Sequence, residues 1–328
     1  MITGEPSVGT SVSAGGKDAS GELLDVSMAL AKQLDEDSGR RKAIPIRKQF
    51  VRTEAAAVAS PPLADLVARG GRGGGLIVKL YLALVWRCSG GDFDTDISAR
   101  AWARLLALDE PNTKGARRVA KAIKTLEECK LISVQPRRGE PSIITLLDES
   151  GDESPYTLPS TAYTASKLKR DIYFKVPTKL WTVGFVQRMS SPALTMLLIL
   201  LAEQSGDANL GDLDGKRVWW STERFPQQYG ISPAMRSRGT KDLIELDLLY
   251  VERAGVGLPG NNRPFARERV RNVYRLQNEA LVFPEEKAPK TNASDSKKKQ
   301  APARKEQTLE EWADSHGLGR PRSRKKKS

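Results

Sequence analysis

Residues 124–134 read KTLEECKLISV, and residues 241–251, exactly the same length, read KDLIELDLLYV. Aligned without a gap, Lys124 meets Lys241, Leu126 meets Leu243, and Glu128 meets Glu245. Leu131, Ile132 and Val134 then meet Leu248, Leu249 and Val251. Both stretches begin with apolar residues at helical spacing and finish as a short β-type run. A unit of this kind recurring 117 residues later predicts a duplicated supersecondary structure.

The flanking sequence extends the duplication. Ahead of the first copy, LIVKLYLALVWRC (76–88) predicts a buried helix and FDTDI (93–97) a short strand. Ser98 then caps a helix running to residue 108, with Ala101, Leu105 and Leu108 at helical spacing. After a turn at Asp109, Pro111 and Asn112 comes the long helix TKGARRVAKAIKTLEEC, followed by strands at 131–134 and 142–147. Ahead of the second copy, IYFKVPTKLW (172–181) is an extended lead-in, and Ser191–Pro192 open a helix through Glu203. RVWWS (217–221) is a strand by its β-branched and aromatic content. Pro226 belongs in the first turn of a helix capped at Ser221 or Thr222, and Ser232–Pro233 start the next one. A hairpin with a long tip closes the unit. Each half therefore reads helix, strand, helix, turn, helix, hairpin.

This order, with K-x-L-x-E-x-x-L-[IL]-x-V closing the third helix, resembles the winged helix-turn-helix family, present twice over about two-thirds of the chain. The resemblance implies a mainly α chain with small β-hairpins (α+β), as two winged-helix domains between disordered N- and C-terminal arms. The expected boundaries are a largely disordered arm with one helix at 1–74, a first domain at 75–148 and a linker at 149–170. A second domain at 171–278 and a disordered basic tail at 279–328 complete the chain. In that family the third helix enters the DNA major groove, which implies double-stranded DNA as partner. Tandem copies are the layout of plasmid replication initiators. That makes a plasmid- or phage-type initiator or origin-binding factor the specific expectation, with a transcriptional regulator as the alternative and an architectural or protein-interaction adaptor beyond it.

The residue chemistry points the same way. On a helical projection Lys114, Arg117, Arg118, Lys121 and Lys124 share one arc, opposite Ala116, Val119, Ile123 and Leu126. No acidic residue lies between Thr113 and Leu126, so the usual pairing of lysine and glutamate across turns is missing there. The second copy offers Arg236, Ser237, Arg238 and Lys241, with Arg236 where the first copy has Val119. Arginine can read guanine bidentately, so the second unit is expected to carry more base readout. The hairpin tips add Arg137 and Arg138 in the first unit and Arg263 in the second.

Composition bounds the rest. The 328 residues carry a net charge of +13, with 13 Lys+Arg against 5 Asp+Glu in residues 287–328 alone. A polyanionic partner suits that balance. GRPRSRKKK (319–327) resembles an AT-hook, with Arg320 and Arg322 at its core and Leu318 where the motif has arginine. Protein partners are expected, if anywhere, through TLEEWADSHGL (308–318) or a helix near 22–35 striped by Leu23, Val26, Leu30 and Leu34, which is expected first to dock on the body. The glycine run 70–75 reads as a hinge. One histidine and two cysteines exclude a His-based triad in the body and a four-thiolate zinc site, and no phosphate-cradling G-x-x-x-x-G-K-[ST] loop exists. The expectation is a non-enzymatic protein with no catalytic residues, metal or cofactor. With no apolar run of membrane-spanning length and no signal-peptide layout, it is expected in the cytoplasm, with the nucleoid.

Overall fold

Two strongly apolar helices organise the structure, a computed structural model that describes residues 19–38, 40, 42–53, 60–71, 74–205, 216–256 and 269–283. In chain order the elements are α1 (Ala19–Asp37), β1 (Ala43–Arg47), α2 (Pro62–Gly70), α3 (Gly74–Arg87), β2 (Asp94–Thr95), α4 (Ala99–Leu105), α5 (Lys114–Glu128), β3 (Ile132–Gln135) and β4 (Ile143–Leu146). Then follow α6 (Pro159–Ser166), β5 (Tyr173–Pro177), α7 (Lys179–Thr182), α8 (Phe185–Arg188), α9 (Ser191–Glu203), α10 (Arg224–Tyr229), α11 (Pro233–Glu245), β6 (Leu249–Val256) and β7 (Arg269–Leu276). The chain is mixed α+β, and its sheets are small and antiparallel. α3 and α9 are buried almost all round, as helices without a polar face must be. Neither they nor any other described helix is long and apolar enough to cross a membrane.

The duplication is visible atom by atom. Each copy of the repeated stretch ends its helix with a residue in left-handed conformation, Lys130 (φ 59°) and Asp247 (φ 55°). In the first, Leu131 N donates to Leu126 O (3.1 Å) and Lys130 N to Glu127 O (2.9 Å). In the second, Leu248 N donates to Leu243 O (2.9 Å) and Asp247 N to Ile244 O (3.0 Å). This pair of bonds satisfies the last carbonyls of the helix, and an apolar contact across the turn accompanies it. Leu126, Leu131, Leu243 and Leu248 are all fully buried. The hairpins match as well: β3–β4 takes β2 on its edge through Thr95↔Ile144, and β6–β7 takes a single bridge, Val218↔Tyr274. The expected strand at 217–221 is thus reduced to that one bridge.

Helix starts follow the sequence closely. Ser98 and Ser232 accept from Ala101 N and Met235 N. α9 is capped one residue earlier than expected, by Ser190 accepting from Ala193 N. Ser221 Oγ accepts from Arg224 N at the start of α10.

The described residues before 75 depart from their expected disorder. β1 pairs with β5 from Ala43↔Pro177 to Arg47↔Tyr173, and Ile44, Ile46, Phe50, Leu63 and Leu66 are buried. α1 docks on α4 and α7, with Leu30 and Leu34 of the expected stripe packed against the core. Ser27 and Ala31 are buried while Val26 is exposed, and Met28 packs on Gly184. Ser27 supplies that face by donating to Leu105 O while accepting from Gln187 Nε2, so a polar residue, invisible to an apolar count, sits at its centre. The glycine run is no open hinge at Gly74 and Gly75. A side chain on Gly74 would meet Val67 O (2.9 Å), and one on Gly75 would meet Ser191 Cα (3.1 Å). Those glycines let α3 approach α2 and α9.

Residues 149–170, expected as a linker, are pinned by charge. Arg47 is 1 % exposed and pairs with the fully buried Glu149, with Asp148 (3.3 Å) and with Asp171 (3.5 Å). It also donates to Thr157 O (3.0 Å) and Thr157 Oγ1 (2.6 Å). Burial, opposed in part by Arg47, raises the Glu149 carboxyl to about 7. Tyr156, buried beside Phe93 at 5.0 Å, completes the anchor. A composition rich in Ser, Thr and Pro gave no hint of these partners, which lie about a hundred residues upstream.

Candidate nucleic-acid interface

α5 is amphipathic because Gly115, Val119, Ala122 and Leu126 face the core. Lys114, Arg117, Arg118, Lys121 and Lys124 are all exposed. Two of them meet carboxylates just outside the acid-free stretch, Lys114 to Glu110 (2.5 Å) and Lys124 to Glu128 (3.9 Å). Such exposed pairs are weak and screened by salt, so a phosphate can replace the glutamate at little cost. Arg117, Arg118 and Lys121 have no ion-pair partner among the described residues. Arg118 adds to the positive potential around Lys79, whose ammonium donates to Gln187 O (3.0 Å). Burial first, and Arg118 second, lower that lysine to about 8.

On α11, Ser237, Arg238 and Lys241 are exposed, and Lys241 repeats the pairing of Lys124, meeting Glu245 at 3.6 Å. Arg236 is elsewhere. Its guanidinium lies over Phe225 (4.6 Å), Tyr274 (5.2 Å) and Trp220 (5.4 Å), and donates to Tyr274 Oη (2.9 Å). The position equivalent to Val119 points to the core edge, and a cation there is held by aromatic faces. Arg236 therefore ties α11 to β7 and is removed from the exposed set.

The first hairpin tip turns at Gly139 (φ 78°). Arg137 is consumed there: it donates to Pro141 O (2.9 Å) and pairs with Asp96 (2.9 Å) and Glu140 (3.0 Å). The Asp96 half of this lies 41 residues away in sequence and could not be read from the tip itself. Arg138 stays exposed. Arg263, Arg320, Arg322 and residues 308–318 lie outside the described residues. In exchange the second hairpin presents Arg253 opposite Asn272, lining a shallow concavity with Gly255 and Val270. Alternation alone would set Arg253 on the core face of Leu249 and Val251, so its exposure had no signal in the sequence.

Among the described residues, no group of three or more His, Cys, Asp or Glu is placed to hold a metal ion. Cys88 and Cys129 are both free thiols. No family model matches the chain, and no curated protein or solved structure matches it either.

Proposed function

We propose that the chain is a non-enzymatic, sequence-specific binder of double-stranded DNA, built from two winged-helix units that present α5 and α11 to the duplex. Its specific form is a plasmid- or phage-type replication initiator or origin-binding factor in the cytoplasm. The observation that carries the reading is the exposed arc of Arg117, Arg118 and Lys121, which has no ion-pair partner among the described residues. It lies on the helix that the duplicated frame repeats as α11. A run of cations without compensating acids on a helix that packs only by its other side suits the phosphates flanking a groove.

A second observation supports a two-part site. α3 and α9 touch where Gly75 meets Ser191, so the two repeated units are not free to wander. Two reading helices on one body favour a DNA site with two elements at set spacing.

The test is a combined Arg117→Ala, Lys121→Ala and Arg238→Ala variant of the full chain. Its target affinity should fall at least tenfold, and the log–log salt slope should become shallower by about 3, one unit per lost phosphate contact. An unaltered slope and affinity would reject the assigned faces. Whether the gene with its flanking DNA maintains a plasmid then separates initiator from regulator.

A further inference from the structure

The sheet carrying the second hairpin has an outer face that the duplex reading leaves idle. Leu249, Val251, Tyr274, Leu276 and Val218 turn inward to the core. Alternation sends their neighbours outward. Tyr250 and Glu252 project from β6, Arg271, Val273 and Arg275 from β7, and Arg217 and Trp219 flank the bridge at Val218. That bridge is a two-bond pair, Val218 N to Tyr274 O (3.0 Å) and Tyr274 N to Val218 O (2.7 Å), which holds Trp219 beside the outer edge of β7.

Two aromatic rings on this face are open to solvent, Trp219 at 48 % and Tyr250 at 44 %. Arg271 stands over Trp219 with its guanidinium carbon 3.9 Å from the ring centroid. Tyr250 faces Arg275 across the ladder, and Arg275 pairs with Glu252 (2.7 Å). Three arginines therefore oppose one glutamate, and neither Arg217 nor Arg271 has a carboxylate partner among the described residues. By strand spacing and rise, Trp219 and Tyr250 are roughly 12 Å apart, enough for each to take a different base of one strand.

We propose that this outer face binds single-stranded DNA, with Trp219 and Tyr250 as base-stacking platforms and Arg217 and Arg271 as phosphate contacts. Stacking needs bases splayed from a helix, so a duplex cannot use the rings, whereas a separated strand can. The choice of DNA over RNA rests on the duplex reading above; the single-strand chemistry does not. A face of this kind would let one chain hold the strand freed beside the site that its reading helices occupy.

The experiment titrates fluorescently labelled oligo(dT), oligo(U) and a duplex of equal length with the full chain, at salt high enough to suppress purely ionic binding. The Trp219→Ala/Tyr250→Ala variant and the milder Trp219→Phe are measured beside it. Oligo(dT) affinity should fall at least tenfold in the double variant and partly recover with phenylalanine, as stacking losses do. Duplex affinity and thermal stability should be unchanged. Equal oligo(dT) affinity in wild type and double variant would overturn the proposal, leaving the rings as a protein-docking surface. Tighter binding of oligo(U) than of oligo(dT) would overturn the choice of DNA. A chain that binds no duplex, yet loses oligo(dT) with the rings, would refute the groove reading and leave this one standing.

Discussion

Arg47→Met will unfold this protein more readily than any surface change. The side chain is 1 % exposed and serves three carboxylates and Thr157. Methionine keeps the apolar stem but leaves Glu149 in the core with no cation. Removing one partner of a buried pair costs about 3–5 kcal/mol, which for a body of this size lowers Tm by roughly 10 °C. The cost should depend on pH. Burial raises Glu149 in the folded state from its ordinary 4.5 to about 7. A raised carboxyl contributes stability that is fully present below its unfolded value and is lost as pH rises through its folded value. Between those two values the wild type should therefore weaken, and Glu149→Gln should flatten that slope. In Arg47→Met the carboxyl rises further, so the defect should be mildest in acid and grow towards neutral pH. Arg47→Met/Glu149→Gln should recover part of the loss. Thermal melts of the four proteins across this range check the scheme, and a melt for Arg47→Met within a degree or two of wild type at neutral pH would sink it.

Gly239→Ala should be the other severe lesion, although alanine is the better helix former. A methyl there would run into Pro192 O and lie 2.6 Å from Met196 Cγ, so α11 could not stay seated on α9. Helix propensity favours the change by about 1 kcal/mol, while overpacking against backbone costs about 1–3 kcal/mol and sometimes more. A methyl lodged against backbone belongs at the upper end of that range, so a net loss of about 2 kcal/mol is expected, together with a displaced α11. The repeat provides its own control. Ala122 is the equivalent residue of α5, buried at 3 %, and that unit accommodates a methyl at the crossing. Ala122→Gly should cost about 1 kcal/mol through propensity and about 0.8 kcal/mol more for the buried methyl it removes. Chemical denaturation of both variants decides the matter: a Gly239→Ala protein as stable as wild type would refute the steric reading of this crossing.

Much of the candidate site's exposed chemistry was legible because it is local. The arc on α5 follows from 3.6-residue periodicity and the absence of acids, and the caps at Ser98 and Ser232 follow from residue type. What failed were residues whose fate depends on distant groups. Arg137 reads as a free tip until Asp96 arrives from β2's neighbourhood. Arg236 reads as a groove contact until Trp220, Phe225 and Tyr274 close around it. Both are cations, and composition cannot tell a cation held by its own fold from one offered to a ligand.

The same division runs through the fold. The sequence by itself determined the duplication, the two buried helices and the helix-to-hairpin turn, because periodicity, capping and a leucine pair across a turn are interactions between near neighbours. Only the tertiary structure decided that residues 43–53 and 60–71 join the core and that 149–170 are fastened down. A β-ladder from Ala43 to Pro177 and a charge pair from Arg47 to Glu149 join segments whose own composition is polar or mixed. Burial and partner choice over such separations are set by the packed whole, which no local window of residues contains.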